Sequence, residues 1–191
     1  MKTEIEVNDY LNTNYKSYIN SISIVSKDDC NNTPMIEDEN IKMFNYDKGV
    51  LKKIWNQLGK IHEIAAVDGL DFQNNTLYFI EFKNGKLNKK EDKFGIRLKM
   101  TESLIGLVKG FKKDSFECDL CNLLKLKKRF ILVYNEEKNT LVNDPLEPFK
   151  NLANIYPLKQ QMEEYNNEIF EEVIIMSRND FEKFYLKKYF P

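Results

Sequence analysis

Two rhythms of apolar residues run along the chain. Between residues 41 and 58, Ile41, Phe44, Val50, Leu51, Ile54, Trp55 and Leu58 recur at near-helical spacing, with Gly49 as an interruption and Gly59 as a stop. Residues 94–112 predict a second helix, with Ile96, Met100, Leu104, Leu107, Val108 and Phe111 along one stripe. Shorter apolar runs at 64–72, 76–83, 129–135 and 171–177 predict strands. Alternation at Ile22, Ile24 or Val25 adds a strand signal at the end of residues 10–25, and the polar stretch 27–40 reads as a loop. Pro145, Pro148 and Pro157 break the stretch after residue 135 into loop or short helices, the most helical part being 158–167. Ser177 or Asn179 then caps a terminal amphipathic helix. From residue 41 the order is helix, two strands, helix, strand, helix, strand, helix. That order predicts one α/β domain over residues 1–191, with a mixed central sheet flanked by helices.

The strand pair VDGLDFQNNTLYFIEFKNG (67–85) carries three charges inside apolar runs: Asp68, Glu81 and Lys83. A two-residue turn at Asn74-Asn75 makes opposed residue numbers sum to 149, so Gly69 faces Ile80 and Asp68 faces Glu81. Opposed side chains share a face of the sheet, and Lys83, two residues past Glu81, joins them there, whereas Asp71 projects from the other face. Two carboxylates directly opposed destabilise a sheet. A hard cation such as Mg²⁺ removes the conflict, being commonly held by one or two carboxylates plus water and phosphate oxygens. Lys83 would then stand beside the reacting phosphate or the attacking water. A plainer reading stays open: Glu81 and Lys83 as an edge-strand ion pair, and Asp68 as a turn residue next to Gly69. A three-residue turn would also shift the pairing by one and separate the acids.

The overall charge is −1, but its distribution is uneven: residues 83–129 carry 14 Lys and Arg against 6 Asp and Glu. This block, directly after the strand pair, suggests an anionic partner, nucleic acid first among them, or else a solvated helix face. A single histidine, His62, excludes a His-rich metal centre and is expected to be structural. Cys118 and Cys121 form a C-x-x-C beside an isolated Cys30; a tetrahedral zinc site needs four ligands, which three cysteines and one histidine can scarcely complete. Cys118 and Cys121 are expected to be helix thiols, with Cys121 facing the core, rather than a redox pair. No uncharged apolar run is long enough for a membrane span, and the first residues lack a secretory apolar stretch. The expected location is therefore cytoplasmic.

Asp68, followed thirteen residues later by Glu81-Phe82-Lys83, resembles the core of the PD-(D/E)XK nuclease superfamily, which includes many restriction endonucleases and Holliday-junction resolvases. The resemblance covers about residues 40–135 and implies a restriction endonuclease-like αβββαβ core with N- and C-terminal elaborations. It implies a metal-dependent nuclease using Mg²⁺ or Mn²⁺, with DNA favoured as substrate. Asp68 and Glu81 would be the metal ligands, and Lys83 the lysine assisting the attacking water. No proline precedes Asp68. The extra helix acid of many members has four candidates, Glu37, Glu39, Asp47 and Glu63, of which Glu63 is closest in sequence. Phosphate contacts would come from Lys86, Lys89 and Lys90, from the cluster of Lys109, Lys112 and Lys113, and from KLKKR (125–129), which includes Lys127, Lys128 and Arg129. The alternative from another class is a non-catalytic nuclease-like module that captures a protein, such as an immunity or antitoxin protein.

Overall fold

The computed structural model describes residues 2–28, 32–59, 64–87, 90–139 and 158–190. A capping box starts α1 (Glu4–Tyr15): the Thr3 hydroxyl accepts the Glu6 N–H and the Glu6 carboxylate accepts the Thr3 N–H. After β1 (Ile19–Ser21) comes one helical turn, α2 (Ile22–Val25), where a strand was expected over the same alternation. Ile22 and Val25, three apart, are both buried in a helix, whereas a strand would send them to opposite faces.

The helix expected over 41–58 divides in two. Lys42–Asn45 form β2, and only from Tyr46 does the chain coil, first as a wide turn, Tyr46–Leu51, then as regular helix, Lys52–Gln57; the two parts together are α3. Long-range pairing overrides local periodicity here, because β2 ladders to both sides, Ile19 with Phe44 and Phe44 with Leu70. Gly59, with φ +62°, ends the helix as expected.

The hairpin is formed by β3 (Gly69–Gln73) and β4 (Thr76–Lys83). Asn74 and Asn75 both have positive φ, 49° and 56°, which suits the tight primed turn. The ladder is Gly69–Ile80 through Gln73–Thr76, the pairing expected from a two-residue turn. A long helix, α4 (Lys90–Lys113), crosses over to β5 (Lys128–Tyr134), which runs parallel to β4. Between them lies α5 (Leu120–Lys125). After α6 (Glu136–Asn139) and a helical segment at 158–163, β6 (Glu172–Ser177) adds a further parallel strand. Ser177 caps the terminal helix, α7 (Arg178–Asp180, continuing through Tyr189), by accepting the Asp180 N–H.

Among the described residues the sheet is six-stranded, β1 to β6 in sequence order, antiparallel through β4 and parallel beyond it. Helices cover both faces. Leu70, Leu77, Phe79, Phe130 and Leu132 pack under α1, α3 and α4, whereas Tyr78, Ile80, Phe82, Ile131 and Val133 pack under α2 and α7. β4 and β5 are buried on both sides, which explains their near-continuous apolar runs. Gly106 and Gly110 on α4 let α3 approach closely: a Cβ at Gly106 would lie 2.5 Å from the Leu51 side chain, and one at Gly110 2.6 Å from that of Ile54. This close seat brings the start of α3 and the middle of α4 to the same end of the sheet.

Candidate functional site

Asp68 sits in the bend one residue before β3, just beyond the last ladder pair. Two main-chain hydrogen bonds hold it: its Oδ2 accepts the Phe82 N–H at 2.8 Å, and its carbonyl accepts the Tyr46 N–H at 2.8 Å. Its carboxylate is thus pinned across β4, beside Glu81. Glu81 is buried, 4% exposed, on the α4 face of the sheet, the same face as Leu77 and Phe79. Lys83 lies two residues further along that face, half-buried, and its charge favours the ionised form of Glu81. Asp71, as expected, is on the other face, where its buried carboxyl accepts from the Tyr185 hydroxyl at 2.9 Å.

The sequence reading did not single out a second lysine that completes this group. Lys99 of α4 donates to both Glu81 oxygens, at 2.8 and 2.9 Å. The clue was present in the spacing: Lys99 falls three residues after buried Ile96 and four before buried Ser103, placing a lysine on the apolar face of α4. Burial and the neighbouring Asp68 carboxylate push the Glu81 carboxyl above its ordinary range, against the pull of Lys99 and Lys83. Burial also works to discharge Lys99, but Glu81, Asp68 and Asp47 together outweigh it and hold the ammonium well above its usual range. Lys99 is therefore the firmer charge of the pair.

Asp47, one of the four candidate helix acids, lies in the first turn of α3 and contributes to this field. Glu37 and Glu39 lie in the loop before β2, and Glu63 is outside the described residues. Hydrogen bonds brace the group from α4. The Tyr46 hydroxyl donates to the Ser103 carbonyl at 2.6 Å, the Ser103 hydroxyl accepts the Val67 N–H at 3.0 Å, and Glu102 accepts the Ala65 N–H. The segment leading into Asp68 is in this way tied to the helix that carries Lys99. On the other side, buried Asn135 donates to Asn84 at 2.7 Å and Asn139 donates to the Gly85 carbonyl at 3.1 Å, fixing the chain as it leaves Lys83.

The basic block does not gather around the acids. Lys128 pairs with Leu77 at the start of β4, whereas Glu81 pairs with Leu132; four residues at roughly 3.3 Å each separate the two levels by about 13 Å along the sheet. Lys128 is also buried, 1% exposed, with its ammonium donating to the Leu124 and Leu126 carbonyls at 2.7 and 3.1 Å. Desolvation pushes its pKa down to about 8. The ammonium closes the end of α5, where orphan carbonyls need donors, and is turned away from the surface on which a phosphate would lie. Arg129 pairs with Glu171 and Glu172 at 3.3 and 3.5 Å, and Lys113 pairs with Asp114. Lys109 stacks over Trp55, its ammonium 4.6 Å from the ring centroid. Lys112 and Lys127 are exposed at the far end from Glu81. Lys86, exposed on the loop leaving Lys83, stays on the side of the acids. Lys89, His62 and Cys30 lie outside the described residues, as does the side chain of Lys90, whose backbone opens α4.

The cysteines are placed opposite to expectation. Cys118 is buried before α5 begins and Cys121 is exposed on it, both as free thiols. Asp119 rather than a cysteine starts α5, its carboxylate accepting the Asn122 N–H at 2.8 Å, and this turns Cys121 outward. Burial pushes the Cys118 thiol up to about 11, so little thiolate exists near neutrality. Maleimide added at pH 7.5 is expected to label Cys121 at least tenfold faster than Cys118, read by peptide mass mapping; equal rates would mean that the 116–119 segment opens readily.

Among the described residues no group of three or more His, Cys, Asp or Glu side chains is gathered to hold a metal ion, and no helix is long and apolar enough to cross a membrane. The donors that do converge, Asp68 and Glu81, nonetheless suit a hard cation, since Mg²⁺ commonly uses only one or two carboxylates and completes its shell with water and phosphate. No family model, curated protein or solved structure matches the chain.

Proposed function

We propose that this protein is a divalent-metal-dependent nuclease that hydrolyses phosphodiester bonds, with DNA as the favoured substrate. The observation that carries this reading is the convergence of Asp68, Glu81 and Lys83 on one face of the β3–β4 hairpin, in the register the D…E-x-K pattern requires. The strand directions lend support: β2, β3 and β4 are antiparallel, α4 follows, and β5 returns parallel to β4. This is similar to the αβββαβ order of the PD-(D/E)XK nucleases, with α3 inserted between the first two strands.

Asp68 and Glu81 would hold Mg²⁺ or Mn²⁺. When bound, such a cation supplies Lewis-acid stabilisation of charge on a phosphate oxygen. The remaining work falls to the protein's own groups. The Phe82 N–H orients the Asp68 carboxylate, so that one of its oxygens is fixed. Lys83 keeps positive charge beside Glu81, where it can donate to an attacking water or to a phosphate oxygen gaining charge. Lys86 offers a sequence-independent phosphate contact on the same side.

A second reading has one observation in its favour. Lys99 already takes both oxygens of Glu81, and a buried carboxylate with a full ion pair is stable without any metal. On that reading the protein is a non-catalytic module that binds a partner. One experiment separates the two. The protein is incubated with linear, branched, nicked and single-stranded DNA in Mg²⁺ or in chelator, beside Asp68→Ala and Glu81→Ala. The nuclease reading expects cleavage that needs the metal and drops about 10³-fold in each variant. Intact DNA across the whole panel, with no Mg²⁺ binding by calorimetry, would favour the module.

A further inference from the structure

Glu81 is 5% exposed in its side chain and lies beside a second carboxylate, yet its two oxygens meet one and the same ammonium. We propose that Lys99 is a positioning residue, the resident counter-ion of the Asp68–Glu81 pair, which holds the Glu81 carboxylate in place and yields it to an entering divalent cation. The yielding step rests on the nuclease reading; the counter-ion role does not.

Two acids from two elements stand together here, Asp68 from the entry to β3 and Glu81 from β4, and Asp47 at the start of α3 adds its field at Lys99. Against them stand two ammonium groups, Lys83 and Lys99. Burying a carboxylate without a partner is costly, and two beside each other are worse, so the packed arrangement needs a cation of some kind. Lys99 supplies it from a helix fixed by independent bonds, Tyr46 and Val67 meeting Ser103 one turn further on. The residue type matters. A lysine is a point charge on a flexible stem, able to swing aside without moving its helix, whereas an arginine fork would grip both oxygens rigidly. The Lys99 side chain is 27% exposed, so its ammonium has a path to water when it leaves Glu81. A metal site that keeps its own removable cation stays folded before loading.

The test compares melting temperatures of wild type, Lys99→Met and the double variant Lys99→Met with Glu81→Gln, each in chelator and in excess Mg²⁺. In chelator, Lys99→Met is expected to melt about 10 °C below wild type, because breaking one side of a buried pair strands the other charge. The double variant, with no stranded charge, is expected within about 3 °C of wild type. Excess Mg²⁺ is expected to return at least half of the loss in Lys99→Met while moving wild type much less. A double variant melting as low as Lys99→Met would overturn the proposal, since the lysine would then matter through the packing of its stem. Lys99→Met melting with wild type would overturn it too. Should Lys99→Met fail to fold in chelator, a folded double variant still supports the counter-ion role, and failure of both overturns it. Recovery by Glu81→Gln with no response to Mg²⁺ keeps the counter-ion, overturns the yielding step and counts against the nuclease reading.

Discussion

On the proposed nuclease reading, Lys83→Met is expected to lower the single-turnover rate of Mg²⁺-dependent DNA cleavage by about 10²–10³-fold, with Mg²⁺ affinity changed less than about threefold. The separation follows from position. Lys83 is half-buried at the end of β4, two residues beyond Glu81 on the same face, and an ammonium is no metal ligand. Its charge nevertheless reaches Glu81. On that reading, removing it deletes positive charge where the phosphate would gain negative charge, and leaves both carboxylates in place. Methionine matches the stem, so the packing near Gly85, whose neighbourhood includes the Lys83 Cε, should survive. Lys83→Arg should recover only part of the rate, because a planar fork cannot put its charge at the same point. Cleavage kinetics and calorimetry on the same preparations decide the matter. A rate within threefold of wild type would remove Lys83 from the chemistry, and loss of Mg²⁺ binding alongside the rate would show that its role is structural.

Phe79→Ala is expected to cost about 3–5 kcal/mol of folding stability, the ordinary range for truncating a fully buried aromatic. Phe79 is 0% exposed at the centre of β4, edge-on to Tyr46 with ring centroids 6.1 Å apart and to Phe170 at 5.7 Å. Three layers of the fold meet at this ring: α3 through Tyr46, the central strand, and the 158–170 segment through Phe170. Helices on both sides leave little freedom for the cavity to collapse. Because Phe79 stands two residues before Glu81 on the same face, the Lys99 contact should loosen as well. Equilibrium urea unfolding measures the loss, and a midpoint shift worth less than about 1 kcal/mol would mean that the α3–β4 seam is not the sealed core described above.

Parts of the site were readable as local chemistry. Asn74-Asn75 tolerates positive φ at both positions, so a tight turn and its register follow from two residues, and strand alternation then carries Glu81 and Lys83 to a common face. β5 and α4 were legible for a similar reason, their apolar patterns being long and unambiguous. Other parts were not. Lys42–Asn45 has helical spacing around it but is drawn into the sheet by Ile19 and Leu70, its partners on either side. Thr3 to Glu6 held a capping box that marks α1 without any apolar periodicity strong enough to draw attention to it.

The sequence by itself determined that Glu81 and Lys83 share a face and offered a two-residue turn for the hairpin, because turn geometry and the two-residue period act over a few bonds; the ladder settles that turn over a three-residue one. Tertiary structure alone decided that Lys99 would meet Glu81 and that Asp47 would join their field, since only the seating of α4 against α3 across the sheet brings those elements to one end. It also decided that the basic block would scatter, with Lys128 turned inward onto carbonyls and Arg129 paired with glutamates. Charge density along a chain says how many cations a segment carries. Which end of a strand they reach depends on the crossover that returns the chain, and on which backbone groups still lack a partner when it arrives.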